Sequence, residues 1–196
     1  MPTSSREVQL RARKIRLLLL DVDGVLTDGR IYYVPDRDTG RTAAGSFLET
    51  KTFHSRDGLG IRFARDAGLK LGLLSGRASP VVQFRARELG IEFIREGARE
   101  KVGPYREILA EARLSDDETC YIGDDLVDLP VLRRCGFAVG VGNGHPLLRR
   151  YVHYWTRAPG GAGAVREVIE VILKAQGKFD SILEGYLGPG KPNRGA

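Results

Sequence analysis

Two carboxylates stand two residues apart in this sequence, at Asp21 and Asp23, directly after an apolar run and before a glycine. Like charges at that spacing raise each other's pKa unless a cation neutralises them. Mg²⁺ is a hard cation that prefers oxygen ligands, and carboxylates supply such oxygens. A second acidic group, which follows another apolar run, comprises Asp124, Asp125 and Asp128. The two groups together predict a magnesium site.

The same residue types also occur without any chemistry, because aspartate and glycine commonly end strands and cap helices. A single Asp-Gly pair would favour that structural interpretation. Here two acidic groups follow two separate apolar runs, at corresponding points of the pattern. A metal site accounts for this recurrence better than strand termination does.

Ser75, Gly76 and Arg77 follow a third apolar run and precede a helical pattern. A hydroxyl and backbone N–H groups at the start of a helix can bind phosphate oxygens. Lys101 opens the next helical pattern and supplies a positive charge that could offset a phosphoryl group. Each feature has a plain alternative, since serine before glycine is common in turns and lysine near a helix start is commonly exposed.

Apolar runs and helical patterns alternate along the chain. Runs typical of buried strands cover residues 15–20, 69–74, 119–122 and 137–141. Helical patterns cover residues 59–67, 80–89, 101–112, 126–134 and 164–175. The alternation predicts an α/β fold, a Rossmann-like three-layer sandwich with a central parallel sheet. The polar residues that end the strands would then meet at one edge of that sheet.

Two segments interrupt the alternation. Residues 30–53 contain two short apolar stretches around a polar loop, which predicts a β-hairpin flap. Residues 187–196 contain three glycines and two prolines, and we expect this tail to be mobile. Residues 1–196 are otherwise expected to form a single domain, because the sequence shows no internal repeat and no sign of a second core.

The chain has 31 basic and 25 acidic side chains, and its net charge of +6 favours an anionic partner. The first 16 residues are locally basic but contain no aromatic residue for stacking on bases, so a small phosphorylated substrate is favoured over nucleic acid. No apolar run is long enough for a membrane span or a signal peptide, and we expect a cytoplasmic protein with no membrane partner. Cys120 and Cys135 are predicted to be buried free thiols.

Four segments resemble, in order, the four motifs of the haloacid dehalogenase superfamily: residues 21–28, Ser75, Lys101 and residues 123–128. The resemblance implies that Asp21 is a nucleophile that accepts the phosphoryl group and that Asp23 is the general acid and base. It also implies a capless core in which Ser75 and Lys101 bind the phosphoryl group. The metal ligands that it implies for Mg²⁺ are Asp21, Asp23 and Asp124, with Asp125 and Asp128 in support.

Further segments are similar to the 3-deoxy-D-manno-octulosonate 8-phosphate phosphatase family: residues 27–29, 56–58, 123–130, 145–146, 160–167 and 175–178. That family has no separate cap domain, forms homotetramers, and closes neighbouring sites with hairpins and C-terminal tails. The resemblance therefore implies hydrolysis of this eight-carbon sugar acid phosphate in lipopolysaccharide biosynthesis. Two departures from the family pattern are a longer hairpin loop at residues 35–46 and Ser55 before the Arg-Asp-Gly segment.

Such a substrate carries a carboxylate at the end opposite its phosphate, so its site needs a cation or amide groups some distance from Ser75 and Lys101. Arg56 and Arg77 are the two candidates, because the planar guanidinium suits carboxylate recognition. Either arginine could instead form an ion pair with a loop acid such as Asp57.

Three other classes of protein fit part of the sequence. A phosphatase for a nine-carbon, sialic-acid-type 9-phosphate needs the same two binding features and stays open. A sugar phosphomutase would normally carry a cap that excludes water. A receiver-type signalling domain also accepts phosphate on aspartate, but it has no second acid where this chain has Asp23.

Overall fold

The computed structural model describes residues 5–35 and 47–188. Its main sheet has six parallel strands in the order β5-β4-β1-β6-β7-β8, and β2 pairs with β3 in a separate antiparallel hairpin. The strands are β1 (Leu17–Leu20), β2 (Tyr32–Pro35), β3 (Phe47–Thr50), β4 (Lys70–Leu74), β5 (Phe93–Arg95), β6 (Thr119–Gly123), β7 (Phe137–Gly140) and β8 (Tyr154–Trp155). The α-helices are α1 (Ser5–Arg13), α2 (Ser55–Asp66), α3 (Pro80–Leu89), α4 (Val102–Ala112), α5 (Leu129–Leu132), α6 (Ala164–Ala175) and α7 (Phe179–Leu187).

The four leucines of β1 show why the sheet is covered on both faces. Leu18 and Leu20 join a core with α1, α2, α3 and α6, whereas Leu17 and Leu19 join a second core with α4 and α5. Successive side chains of a strand point to opposite faces, so an unbroken apolar run requires helices on both sides. The predicted three-layer α/β sandwich is confirmed.

The register of the sheet brings the polar strand ends together. Leu20, the last residue of β1, lies opposite Leu73 of β4 and Ile122 of β6. Because the strands are parallel, the segments that follow them leave the sheet at the same edge. We call this the catalytic edge, and it is where the first acidic group, Ser75 and the second acidic group meet.

Several elements differ from the sequence prediction. The helix expected at residues 59–67 begins at Ser55 because the Nδ1 atom of His54 accepts a hydrogen bond from the Arg56 N–H, which caps it. The helix expected at residues 126–134 is a 3₁₀ turn, Leu126–Asp128, followed by the short helix α5. The sequence prediction missed four elements, which are α1, β5, β8 and α7.

The predicted hairpin is confirmed, with Tyr33 of β2 opposite Glu49 of β3. The loop at residues 36–46 and residues 189–196 of the expected mobile tail lie outside the described residues. Leu187, where we expected that tail to begin, is the last residue of α7. Both cysteines are free and buried, as predicted. Across the described ranges, no helix is both long and apolar enough to cross a membrane.

Candidate active site

Asp21 lies at the catalytic edge, one residue beyond β1. Its backbone N–H donates to the Ile122 carbonyl at 3.0 Å, which extends the sheet by one residue and fixes the start of the loop. Its Oδ1 atom lies 2.8 Å from the Nζ atom of Lys101. Burial, and next the charge of Asp128, raise the pKa of Asp21 to about 6 despite the opposing effect of Lys101. Asp21 is therefore a buried carboxylate that a neighbouring positive charge helps to keep ionised.

The chain then makes a tight turn over residues Val22–Leu26, which the Thr27 N–H closes by donating to the Val22 carbonyl. Gly24 has φ = 94°, in the left-handed region that favours glycine. A Cβ atom at this position would lie 2.1 Å from the Oδ2 atom of Asp124. The glycine thus permits both the turn and the close approach of the two acidic groups.

Asp21, Asp124 and Asp128 each place a carboxylate oxygen within 4.8 Å of the other two. Asp128 is fully buried, and both of its oxygens are occupied. Its Oδ1 accepts hydrogen bonds from Lys101 and Tyr121, and its Oδ2 accepts them from the backbone N–H groups of Asp124 and Asp125. Asp128 therefore holds the loop and Lys101 in place, which leaves Asp21 and Asp124 as the members of this cluster that could bind a cation.

The carboxyl of Asp124 is the more strongly perturbed of these two. Burial, followed by repulsion from Asp21 and Asp128, raises its pKa to about 8. A divalent cation between Asp21 and Asp124 would remove that repulsion, so the donor set fits a hard metal ion. Asp125 is exposed, and its side chain caps the 3₁₀ turn by accepting from the Leu126 N–H at 2.7 Å.

The Asp23 side chain lies apart from the other acids at the catalytic edge. Its carboxylate lies outside the cluster of three acids and instead contacts the ammonium of Lys51, with the Arg77 Nε atom 3.9 Å from its other oxygen. About a quarter of the Asp23 side chain is exposed, against 8% for Asp21. Attraction to two cations explains why it turns away from the acidic cluster.

Ser75 and Lys101, the two predicted phosphate ligands, both lie at the catalytic edge. Ser75 is buried directly after β4, and its Oγ atom accepts a hydrogen bond from the Arg77 N–H at 3.2 Å. Gly76, next to it, is exposed. Lys101 is buried, and Asp21 and Asp128 raise its pKa although burial acts in the opposite direction. It therefore carries a full positive charge beside Asp21.

The two candidate arginines differ in their surroundings. Arg77 lies at the catalytic edge, where it contacts Asp23 and donates to Glu49 of the hairpin at 3.2 Å. Arg56 is exposed in the first turn of α2. The buried Asp57 accepts from the backbone N–H groups of Gly163 and Arg166, at 3.0 and 2.8 Å. Asp57 thus joins α2 to the N-terminal end of α6, a function that sequence reasoning missed.

The glycine-rich segment before α6 packs directly on the tight turn Val22–Leu26, which we call the catalytic turn. The Gly161 N–H donates to the Val25 carbonyl at 2.9 Å. A Cβ atom at Gly160 would lie 1.6 Å from the carbonyl oxygen of Gly24. This part of the 160–167 motif therefore supports the turn that carries Asp23 and follows Asp21.

We expect Gly160→Ala to destabilise the fold by roughly 1–3 kcal/mol, because the methyl group would strike backbone atoms that cannot rotate away. Displacement of the turn should also lower kcat. Gly185→Ala is the matched control, since a Cβ there would meet open space. Urea unfolding and phosphate release measure the two effects, and equal stability of the two variants would contradict the proposed packing role.

Sequence reasoning also missed Lys51 and Tyr121. Lys51 is a buried lysine just after β3, and Tyr121 donates a hydrogen bond to Asp128 at 2.7 Å. Glu49 and Lys51 are two residues apart within the segment predicted to form the hairpin, so a possible shared face was the one available signal. Nothing in the sequence showed that this face meets Asp23.

A cavity of about 1170 Å³ lies elsewhere, among α1, the turn at Pro146–Arg150, β8 and α6. Five basic side chains are among those that line it: Arg6, Arg13, Arg149, Arg150 and Lys174. None of the acids of the catalytic edge lines this cavity. This cavity is therefore separate from the candidate active site.

Comparison with known proteins agrees with this geometry. Residues 55–136 match the model of the haloacid dehalogenase-like hydrolases. The chain is 40% identical to the 3-deoxy-D-manno-octulosonate 8-phosphate phosphatase KdsC of Escherichia coli, over 90% of this chain and 88% of that protein. A probable YrbI family phosphatase from Pseudomonas syringae superposes with a TM-score of 0.87 at 40% identity, over 95% of this chain and all of the other.

A third relative was solved with ligands. The 3-deoxy-D-manno-octulosonate 8-phosphate phosphatase of Moraxella catarrhalis, in complex with magnesium, phosphate and KDO, has a TM-score of 0.85 at 38% identity, over 93% of this chain and 99% of that one. The fold and the acidic edge are those of a haloacid dehalogenase-like hydrolase. The chain belongs to the 3-deoxy-D-manno-octulosonate 8-phosphate phosphatase family within that class, and it is a phosphoric monoester hydrolase.

Proposed function

We propose that this protein is a magnesium-dependent phosphatase that hydrolyses 3-deoxy-D-manno-octulosonate 8-phosphate through an aspartyl-phosphate on Asp21, and that it acts in the cytoplasm. The observation that carries the mechanism is the buried Asp21 carboxylate, 2.8 Å from Lys101 and close to Asp124. The relatives named for this substrate, and the one solved with magnesium, phosphate and KDO, support the substrate and the metal.

Asp21 is the nucleophile in this mechanism. One of its oxygens forms a bond to phosphorus while the bond from phosphorus to the sugar oxygen breaks. Lys101 offsets the negative charge that gathers on the phosphoryl oxygens, and the Ser75 hydroxyl donates a hydrogen bond to one of them. Mg²⁺ held by Asp21 and Asp124 would shield the repulsion between the carboxylate and the phosphate dianion.

Asp23 transfers the protons. As a carboxylic acid it protonates the leaving sugar oxygen, and as a carboxylate it then removes a proton from the water that attacks the aspartyl-phosphate. Its greater exposure supports this division of roles, because the leaving group and the water both approach from solvent. Hydrolysis of the intermediate returns Asp21 to its starting state.

We propose that Arg77, and not Arg56, recognises the carboxylate of the substrate. Arg77 lies at the catalytic edge beside Asp23, and nearly half of its side chain is exposed. A guanidinium has five N–H donors, so contacts with Asp23 and Glu49 leave others for a ligand. A sugar acid phosphate could then reach from Ser75 and Lys101 to Arg77.

The substrate is tested by comparing kcat/KM for the eight-carbon acid phosphate, the nine-carbon acid 9-phosphate and glucose 6-phosphate. We expect the eight-carbon acid to be preferred. Arg77→Met should reduce its advantage over glucose 6-phosphate by roughly 10- to 100-fold, the worth of hydrogen bonds to a charged group. Arg56→Met is the control and should preserve that ratio. Preference for the nine-carbon acid would leave the phosphatase mechanism standing but replace the substrate.

We also propose a homotetramer in which hairpins cover neighbouring sites. Six apolar side chains of the hairpin region are between 39% and 60% exposed in a single chain: Ile31, Tyr32, Tyr33, Val34, Phe47 and Leu48. So many exposed large apolar side chains on one element are typical of an interface. An open active site without a cap would gain a cover from the same contact.

The tetramer predicts a mass near four times the 21.6 kDa chain mass in light scattering at micromolar concentration. Leu48→Glu should lower that mass, because a charge in an apolar interface is costly to bury. Leu10→Glu is a matched control, since both leucines are 55% exposed and Leu10 lies on α1. A wild-type monomer would contradict the assembly.

A further inference from the structure

Four charged side chains form a closed ring between the hairpin and the catalytic turn. Lys51 contacts Asp23 directly and lies 3.5 Å from Glu49. Arg77 lies 3.2 Å from Glu49 and 3.9 Å from Asp23. The two cations alternate with the two acids, so each charge has an opposite charge on either side. We call this group the four-charge ring.

Lys51 is the most constrained member of the ring. Its side chain has no exposed area, whereas 44% of the Arg77 side chain is exposed. A buried ammonium is costly unless acids pair with it, and removal of a partner leaves an uncompensated charge. Asp23 and Glu49 are the acids that contact Lys51. The position of Lys51 therefore depends on both of them, and they depend on it.

The chain on either side fixes the Lys51 backbone. Lys51 follows Thr50, the last residue of β3, and Phe53 pairs with Thr27 in an isolated antiparallel bridge. Thr27 is the residue that closes the catalytic turn. Lys51 is thus held between the hairpin and the turn that carries Asp23, and its ammonium spans the gap between them.

The Asp23 carboxylate has few other restraints. It lies outside the cluster of three acids and is partly exposed, and within the described residues it forms ion pairs with Lys51 and Arg77. A general acid must come within hydrogen-bonding distance of the oxygen that it protonates. An error of about 1 Å in such a position can cost roughly 100-fold in rate. An ionic contact with a buried, fixed ammonium removes most of that freedom.

We propose that Lys51 is a positioning residue that holds the Asp23 carboxylate where it transfers protons, and so couples the hairpin to catalysis. The inference rests on the proposed function of Asp23 as general acid and base. In this role Lys51 neither contacts the phosphoryl group nor transfers a proton. Glu49 completes the coupling, because it pairs with Lys51 from the hairpin strand itself.

The test compares two leaving groups with the full-length, magnesium-loaded enzyme. Expulsion of a sugar alkoxide needs the proton that Asp23 supplies, whereas p-nitrophenolate leaves with its electron pair and needs none. In Lys51→Met, phosphoryl transfer from p-nitrophenyl phosphate to Asp21 should therefore stay fast, while water attack on the intermediate slows. We expect a burst of one p-nitrophenolate per active site, followed by slow turnover.

With the sugar phosphate, Lys51→Met should lower kcat by about 100-fold, with little change in KM and no accumulation of phospho-enzyme. Asp23→Asn should show the same pattern more strongly, within the roughly 10²- to 10⁴-fold range of general acid and base catalysis. Adding Lys51→Met to Asp23→Asn should not lower kcat any further, because Lys51 acts only by positioning Asp23. Lys51→Arg should recover part of the loss, and Lys14→Met, at an exposed lysine, should behave as wild type.

Glu49→Gln is the second variant, because it leaves the ammonium in place but releases it from the hairpin strand. It should show a weaker form of the same burst, which keeps the test decisive even if circular dichroism shows Lys51→Met to be unfolded. Three results would overturn the positioning role of Lys51. They are equal losses of rate on both substrates without a burst, a rise in KM at constant kcat, and full additivity of the effects of Lys51→Met and Asp23→Asn on kcat. A wild-type enzyme that forms no phospho-enzyme would instead refute the proposed function.

Discussion

Asp21→Asn is expected to lower phosphate release by a factor on the order of 10⁶, the scale of loss when a covalent nucleophile is removed. The amide has the shape of the carboxylate but cannot attack phosphorus, so no phospho-enzyme should form. The fold should survive, because Lys101 keeps its ion pair with Asp128 at 2.7 Å. Burial and Asp128 raise the pKa of Asp21 to about 6, so the ionised carboxyl is itself unfavourable in the metal-free protein.

Intact-mass spectrometry after an acid quench measures the phospho-enzyme, and a phosphate-release assay measures turnover. Asp66→Asn is the matched control, because Asp66 is an exposed aspartate at the end of α2. It should retain wild-type turnover and the covalent intermediate. Turnover by Asp21→Asn within about 100-fold of wild type would remove Asp21 from the role of nucleophile.

The position of Asp21, the proposed nucleophile, could be predicted because it depends on local sequence. An unbroken apolar run followed by Asp-Val-Asp-Gly fixes where β1 ends, and the parallel sheet then places that end beside the ends of β4 and β6. Ser75, Lys101 and Asp124 follow or begin elements whose bounds the sequence showed to within two residues. Local pattern and topology together thus located most of the site.

The roles of Asp128 and Lys51 depend on contacts between distant parts of the chain. Asp128 looked like one more possible support for a metal, yet its four hydrogen bonds hold Lys101, Tyr121 and two backbone N–H groups. Lys51 is 28 residues from Asp23, and the hairpin between them gives no local sign of the contact. Such pairings follow from packing, which periodicity does not encode.

The elements that the sequence missed are short or weakly patterned. β8 has two residues and β5 has three, which is less than any alternation can show. α1 buries only Val8 and Ala12, so most of its surface is polar and its apolar face is narrow. α7 has no buried residue. Each is recognisable from its place against the core, and not from its own residues.

Asp124→Asn should abolish tight Mg²⁺ binding and, at the same time, stabilise the metal-free protein at alkaline pH. Burial and the charges of Asp21 and Asp128 raise the pKa of Asp124 from 3.8 to about 8. Between those values the folded protein binds more protons than the unfolded chain, so its stability falls as pH rises through that window. The asparagine carries no charge, so this loss should disappear in the variant.

Mg²⁺ must displace the proton from Asp124, so wild-type affinity should increase between about pH 6 and about pH 9, and binding should release protons. Calorimetry in two buffers of different ionisation enthalpy measures both effects, and thermal unfolding with and without Mg²⁺ measures the linked stability.

Asp125→Asn is the control, because that side chain is exposed and caps a turn. It should keep the pH dependence of wild type. Two results would show that Asp124 does not face the metal with a raised pKa. One is a Mg²⁺ affinity that is independent of pH, and the other is a metal-free Asp124→Asn protein that is less stable than wild type at about pH 9.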